Sequence, residues 1–117
     1  MKETDHVMKL NPSPFEMIRT GKKTIELRLY DEKRQRISVG DTVTFINTAA
    51  PSDTLRVRVE ALHIFASFDE LYEALPLLEC GYTEENVGAA SPRDMEAYYS
   101  KEQQRQYGVV GIKITLL

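Results

Sequence analysis

The run Gly21-Lys22-Lys23-Thr24-Ile25-Glu26-Leu27-Arg28 constrains this chain more than any other stretch. A glycine just past the apolar positions Phe15 and Ile18 tolerates the left-handed backbone that ends a helix. The residues that follow alternate polar and apolar, the two-residue period of a strand. On a strand over 23–30, Ile25, Leu27 and Leu29 share one face. Thr24, Glu26 and Arg28 share the other, with Lys23 at the strand mouth. The apolar set is expected on a core and the polar set towards solvent or a cleft. A charged row beside a helix terminus can hold an anionic or polar ligand. The bland alternative is a salt-bridged strand face, worth little to stability when exposed.

The flanking sequence supplies further elements. His6–Leu10 reads as a short first strand, and Asn11-Pro12-Ser13-Pro14-Phe15-Glu16 as a helix start. In that reading Ser13 caps, Pro14 takes the first helical position and Glu16 completes a capping box. Asp31–Arg36 is expected to be a polar turn. Thr42–Asn47 alternates, and Thr54–Phe65 is a long strand whose phase changes near Ala61-Leu62, the mark of a bulge or bend. Ser67-Phe68-Asp69-Glu70, Ser91-Pro92-Arg93-Asp94 and Ser100 are three more helix starts, and Gly108–Leu116 is an apolar closing strand. The short connections suggest that strands 23–30, 42–47 and 54–65 are antiparallel neighbours. Strands interleaved with short helices predict an α+β fold, a small mixed β-barrel with helices on its rim.

With 117 residues, one domain over 1–117 is expected. No apolar run reaches the roughly 20 residues that span a bilayer, so no membrane partner is expected. A single cysteine, Cys80, excludes an internal disulfide, and a cytoplasmic setting follows most simply. Charge is unevenly placed. Residues 1–58 carry 11 lysines and arginines against 8 acids, and residues 59–117 carry 4 against 10. A confined basic patch on an acidic chain suits a small anionic ligand better than duplex DNA.

Taken together, these residues resemble the ASCH domain, a member of the PUA-like superfamily of small barrels. The resemblance is carried by Pro14-Phe15-Glu16, by Gly21 to Arg28, by Val39-Gly40-Asp41 and by Tyr107-Gly108-Val109-Val110-Gly111-Ile112. It implies a barrel with a cleft floored by the signature strand, and RNA or a nucleotide-derived ligand as partner. One bacterial branch of that family hydrolyses acetylated cytidine with a lysine, a threonine and a glutamate. Lys23 matches the lysine. Glu26 stands where the threonine falls, while Thr24 lies two residues earlier. For the third carboxylate, Glu79 is the first choice and Glu73 the next.

Three readings stay open. The leading one is binding of RNA or a modified nucleoside around Lys23, Glu26 and Arg28. Lys22, Arg34 and Arg36 would assist as cations, and Tyr99 and Tyr107, with Tyr98, as stacking surfaces. A second is a small amidohydrolase in which Lys23 polarises a carbonyl, Glu26 acts as general base and Glu79 assists. A third is a regulatory protein-interaction domain with an empty cleft. His63 has no partner at metal-ligand spacing and His6 lies in the polar leader, so neither a metal nor a cofactor is expected. Cys80 lacks a basic neighbour in sequence and reads as a semi-buried thiol. Nothing in the sequence sets an oligomeric state.

Overall fold

Strand alternation is clearest in the long segment Thr54–Phe65, which forms the spine of the sheet (β4) in the computed structural model; residues 4–117 are described. Leu55, Val57 and Val59 turn into the first apolar core. A register shift between Val59 and Ala61 then inverts the parity, so that Leu62 packs on the same core. One extra residue at the bulge thus bends the strand without turning its apolar row outwards. β4 pairs antiparallel with β3 (Thr42–Asn47) on one side and with β5 (Val109–Leu116) on the other.

The remaining strands are β1 (Asp5–Leu10), parallel to β3, and β2 (Ile25–Leu29), antiparallel to β5. The order β1-β3-β4-β5-β2 makes a curled half-barrel with β1 and β2 at its two free edges. Loop length had pointed to β2 beside β3. It limits only how far the chain reaches, and β2 pairs instead with the apolar β5, which covers its whole length. Part of the free edge of β1 is satisfied by side chains: Arg28 Nη2 donates to the Lys9 carbonyl and Lys33 Nζ to the Val7 carbonyl, each at 2.8 Å.

Helix α1 (Pro12–Arg19) starts earlier than the Ser13 cap predicted. Asn11 is the N-cap residue and Pro12 the first helical one, so the proline that matters is the earlier of the two. Glu16 makes no capping box and pairs with Arg19 instead. The helix buries Phe15 and Ile18 in the first core. Its end is a Schellman turn: with Gly21 at φ +81, Gly21 N bonds Ile18 O and Lys22 N bonds Met17 O. Lys23 N also bonds Met17 O at 3.0 Å, which fixes where the charged run begins.

Asp31–Arg36 is not an open turn but one helical turn, α2 (Glu32–Gln35), capped by the Asp31 side chain on Arg34 N. Helix α3 (Phe68–Ala74) is capped by Ser67 as expected, although the Glu70 carboxylate reaches Ala66 N rather than closing the box on Ser67. The Ser91 cap-and-proline start opens a 3-10 segment, Pro92–Ala97, rather than an α-helix. Helix α4 (Lys101–Tyr107) carries the full Ser100–Gln103 capping box.

A second core lies on the other face of the sheet. Phe68 and Leu71 of α3 pack there with Ile25, Leu27, Val109, Cys80 and Met95. The apolar face of β2 therefore belongs to this second core, under α3. Glu26 and Arg28 lie opposite Ile112 and Val110, residues of the first core, on the inner side of the half-barrel. The charged row is consequently internal, and Glu26 is only 3% exposed. Thr24 departs from it. Its hydroxyl donates to Glu79 and receives a bond from Lys113, and Lys113 sits opposite Ile25 on the reverse face. Among the described residues, no helix is long and apolar enough to cross a membrane.

Candidate functional site

Where β1 and β2 fail to meet, a cleft of about 410 Å³ opens. The β1–α1 junction forms one side, with Lys9, Asn11 and Met17. The segment from α3 to the 3-10 turn forms another, with Tyr72, Tyr82, Asp94, Tyr98 and Tyr99. Lys23, Glu26 and Arg28 lie in it from β2 and the residues before it. A cleft this size is within the range that holds a small molecule.

Glu26 organises the charges. Its Oε1 lies 2.7 Å from Lys23 Nζ, and its Oε2 lies 2.7 Å from Arg28 Nη2 and accepts from Arg28 Nε at 2.8 Å. Burial opposes ionisation, but Lys23 and Arg28 outweigh it and hold the Glu26 carboxyl below its usual range. Burial likewise opposes the charge on Arg28, which Glu26 and the Tyr99 phenol restore and strengthen. Arg28 acts on both edges, since the same side chain that pairs with Glu26 on β2 also ties β1 through the Lys9 carbonyl.

The tyrosine wall is ordered by a ring stack and a hydrogen-bond chain. The Tyr99 ring stacks on Phe68, with centroids 6.3 Å apart and planes 17° from parallel. Tyr82 donates to Asp94 Oδ2 at 2.6 Å, and the Tyr72 and Tyr82 hydroxyl oxygens are 2.7 Å apart. Burial raises the pKa of both phenols, and for Tyr82 the Asp94 carboxylate adds to the effect. Asp94 therefore serves two ends: it closes the Ser91 capping box and anchors the tyrosine pair.

Of the residues expected from sequence, Lys23, Glu26, Arg28 and Tyr99 meet in this cleft, and the exposed Tyr98 lines it too. The others lie elsewhere. Glu79 binds Lys113 Nζ at 2.7 Å and Thr24 at 2.9 Å, and these contacts hold its pKa down. Glu73 and Lys22 are exposed and do not line the cleft. Arg34 pairs with Asp31 at 2.9 Å, and Arg36 ends α2 in solvent. The Tyr107 hydroxyl faces Glu32 at 3.4 Å. His6 bonds Asp41 at 2.9 Å. Cys80, by contrast, borders the cleft, and burial pushes its thiol up to about 11.

Sequence reasoning did not single out Lys9, Tyr72, Tyr82 or Asp94. Tyr72 reads as one more apolar position of α3 and Asp94 as a capping residue. The available signal was that a tyrosine in a buried stripe carries a hydroxyl that must find a partner.

A curled mixed sheet with short helices and a cleft at its open edge defines the PUA-like class of fold. The sequence matches the family model of the ASCH domain over residues 8–117, and the chain belongs to the ASCH domain family. Solved structures agree. It is similar to hypothetical protein PH0355, with 32% identity and a TM-score of 0.81 over 97% of this chain and 100% of that one. It is also similar to protein PF0455 from Pyrococcus furiosus, with 34% identity and a TM-score of 0.72 over 97% and 98%. A single-substitution variant of ZmASCH from Zymomonas mobilis shares the fold at 16% identity, with a TM-score of 0.67 over 96% of this chain and 69% of that one. No curated protein matches the sequence.

Proposed function

We propose that this ASCH domain binds a modified nucleoside, free or at an unpaired position of an RNA, in the cleft around Lys23, Glu26 and Arg28. The observation that carries the reading is a buried cation–carboxylate–cation triad in a tyrosine-lined cleft of about 410 Å³. A planar base suits the tyrosine surfaces, which offer stacking that tolerates many bases. Its polar edge meets fixed donors on Lys23 and Arg28 and the remaining lone pairs of Glu26. The triad carries one net positive charge; Lys9 adds one at the same cleft and Asp94 removes one, so the lining stays net positive, which suits a phosphate attached to the nucleoside.

The triad is better suited to hold than to move a proton. An effective general base has a pKa near the working pH. Glu26 is held below the ordinary glutamate range, and both its oxygens already accept from cations. The hydrolase reading, amide cleavage of an acylated nucleoside by Lys23 and Glu26, has one observation in its favour: the two groups are 2.7 Å apart in one accessible cleft.

Calorimetric titration with nucleosides and short single-stranded RNA tests the binding reading, beside a mass-spectrometric turnover screen on acylated nucleosides. Binding that weakens at least about tenfold in Lys23→Ala and Arg28→Ala, with no turnover, supports a binding module; tenfold is about 1.4 kcal/mol. Turnover that disappears in Lys23→Ala and Glu26→Gln makes the protein a hydrolase. Ligand binding indifferent to Lys23→Ala refutes the site.

A further inference from the structure

The tyrosine wall contains a hydrogen-bond chain whose direction is determined. Asp94 Oδ2 accepts from the Ser91 amide at 3.2 Å and from the Tyr82 hydroxyl at 2.6 Å. The Tyr82 oxygen is 2.7 Å from that of Tyr72. A phenol has one proton to give, and an ionised carboxylate has only lone pairs. Were Tyr82 to turn its proton to Tyr72, its own lone pairs would face a carboxylate oxygen at 2.6 Å. Tyr82 therefore donates to Asp94, Tyr72 donates to Tyr82, and the Tyr72 proton is spent. Burial raises the pKa of both phenols, so neither ionises at neutral pH. What the Tyr72 oxygen retains is acceptor capacity alone. Tyr72, Tyr82 and Asp94 all line the cleft that also holds Lys23, Glu26 and Arg28.

We infer that Tyr72, its proton drawn away by Tyr82 and Asp94, is a specificity-determining residue that accepts a hydrogen bond from an exocyclic amino group of the bound base. This rests on the nucleoside-binding reading and deepens it: the cleft takes amino-bearing bases over the same ring without the amino group. A ligand lacking that donor leaves a half-buried oxygen without its partner, and unmade bonds of this kind are costly. Tyr82 and Asp94 are positioning residues. In this assignment they act through the polarity that they impose on Tyr72.

Two matched pairs of ribosides provide the test: adenosine with purine riboside, and cytidine with 2-pyrimidinone riboside, which differ only by the amino group. Each is titrated calorimetrically into the full chain as wild type, Tyr72→Phe and Tyr82→Phe, with circular dichroism to verify folding. In the wild type, losing the amino group weakens binding about tenfold, the scale of one neutral hydrogen bond. In Tyr72→Phe both members of a pair bind alike. In Tyr82→Phe the ratio falls below about threefold, because the freed Tyr72 proton can point into the cleft and present a donor. Wild-type protein that binds both members equally in both pairs overturns the assignment, and so does a ratio unchanged in Tyr72→Phe. Either result leaves the binding reading standing. Failure of all four ribosides and of single-stranded RNA to bind overturns the binding reading and this inference with it.

Discussion

Replacing Glu26 with glutamine should be among the most damaging single-atom exchanges in this domain. The side chain is 4% exposed and lies between Lys23 at 9% and Arg28 at 13%. In wild type the two buried cations share one anion. Glutamine keeps the shape, removes that anion and turns an amide donor towards one of the cations. Deleting one partner of a buried ion pair costs about 3–5 kcal/mol. Both cations border the cleft and keep some access to water, so the lower end, about 3 kcal/mol, is expected. For a domain of this size that lowers Tm by more than about 10 °C. The comparison is Glu16→Gln on the exposed Glu16–Arg19 pair, which should unfold with wild type.

The pH dependence gives a second signature of the same substitution. A carboxyl whose pKa is depressed on folding stabilises the protein above its unfolded value, about 4.3 for glutamate. That stability is lost as pH falls further, through the folded value. Urea denaturation of wild type and Glu26→Gln should thus show a constant gap from pH 8 down to about 5, closing only in more acidic solution. A gap under about 1 kcal/mol at pH 7 would refute the argument, because removing the partner of a truly buried triad costs more. A gap already closed near pH 6 would refute the depressed pKa.

Other substitutions probe other parts. Gly108→Ala should cost about 1–3 kcal/mol by thermal denaturation, since Gly108 has φ +72 and an added Cβ would sit 2.9 Å from the Phe65 carbonyl oxygen. Glu79→Gln, which removes the negative charge facing Lys113 on the reverse face and keeps an acceptor oxygen for Thr24, should cost under about 1 kcal/mol and leave nucleoside affinity unchanged; a large loss of affinity would bring Glu79 into the site. Native Cys80 should react with iodoacetamide at pH 8 far more slowly than in urea, because burial pushes its thiol up to about 11. Equal rates in both conditions would show that it is open to solvent.

Much of the fold is local and therefore readable. The glycine after α1, the serine caps of α3 and α4 and the alternation of β3 and β4 each follow from the conformations a few neighbouring residues allow. The phase change near Ala61 was visible because a parity slip shows in the pattern of apolar residues. The misplaced start of α1 was also local: two prolines, Pro12 and Pro14, compete for the same role, and the first takes it. Of the residues lining the candidate cleft, Lys23, Glu26, Arg28, Tyr98 and Tyr99 were legible, the first three through one short motif. Tyr72, Tyr82 and Asp94 were not, since each also has an ordinary structural duty in its own element.

The amino-acid sequence alone determined the strands and most helix starts, the family to which they belong and the identity of the charged run on β2. The tertiary structure decided which side of the sheet that run occupies. Alternation states that Glu26 and Arg28 oppose Ile25 and Leu27, but both faces of β2 are covered, and periodicity cannot tell a solvent face from a second interior. Only the pairing of β2 with β5, and the seating of α3 over Ile25 and Leu27, turned the charges inward. Burial then made the difference between a surface ion pair of little consequence and a desolvated triad in a cleft, because the strength of a charge depends on the medium around it.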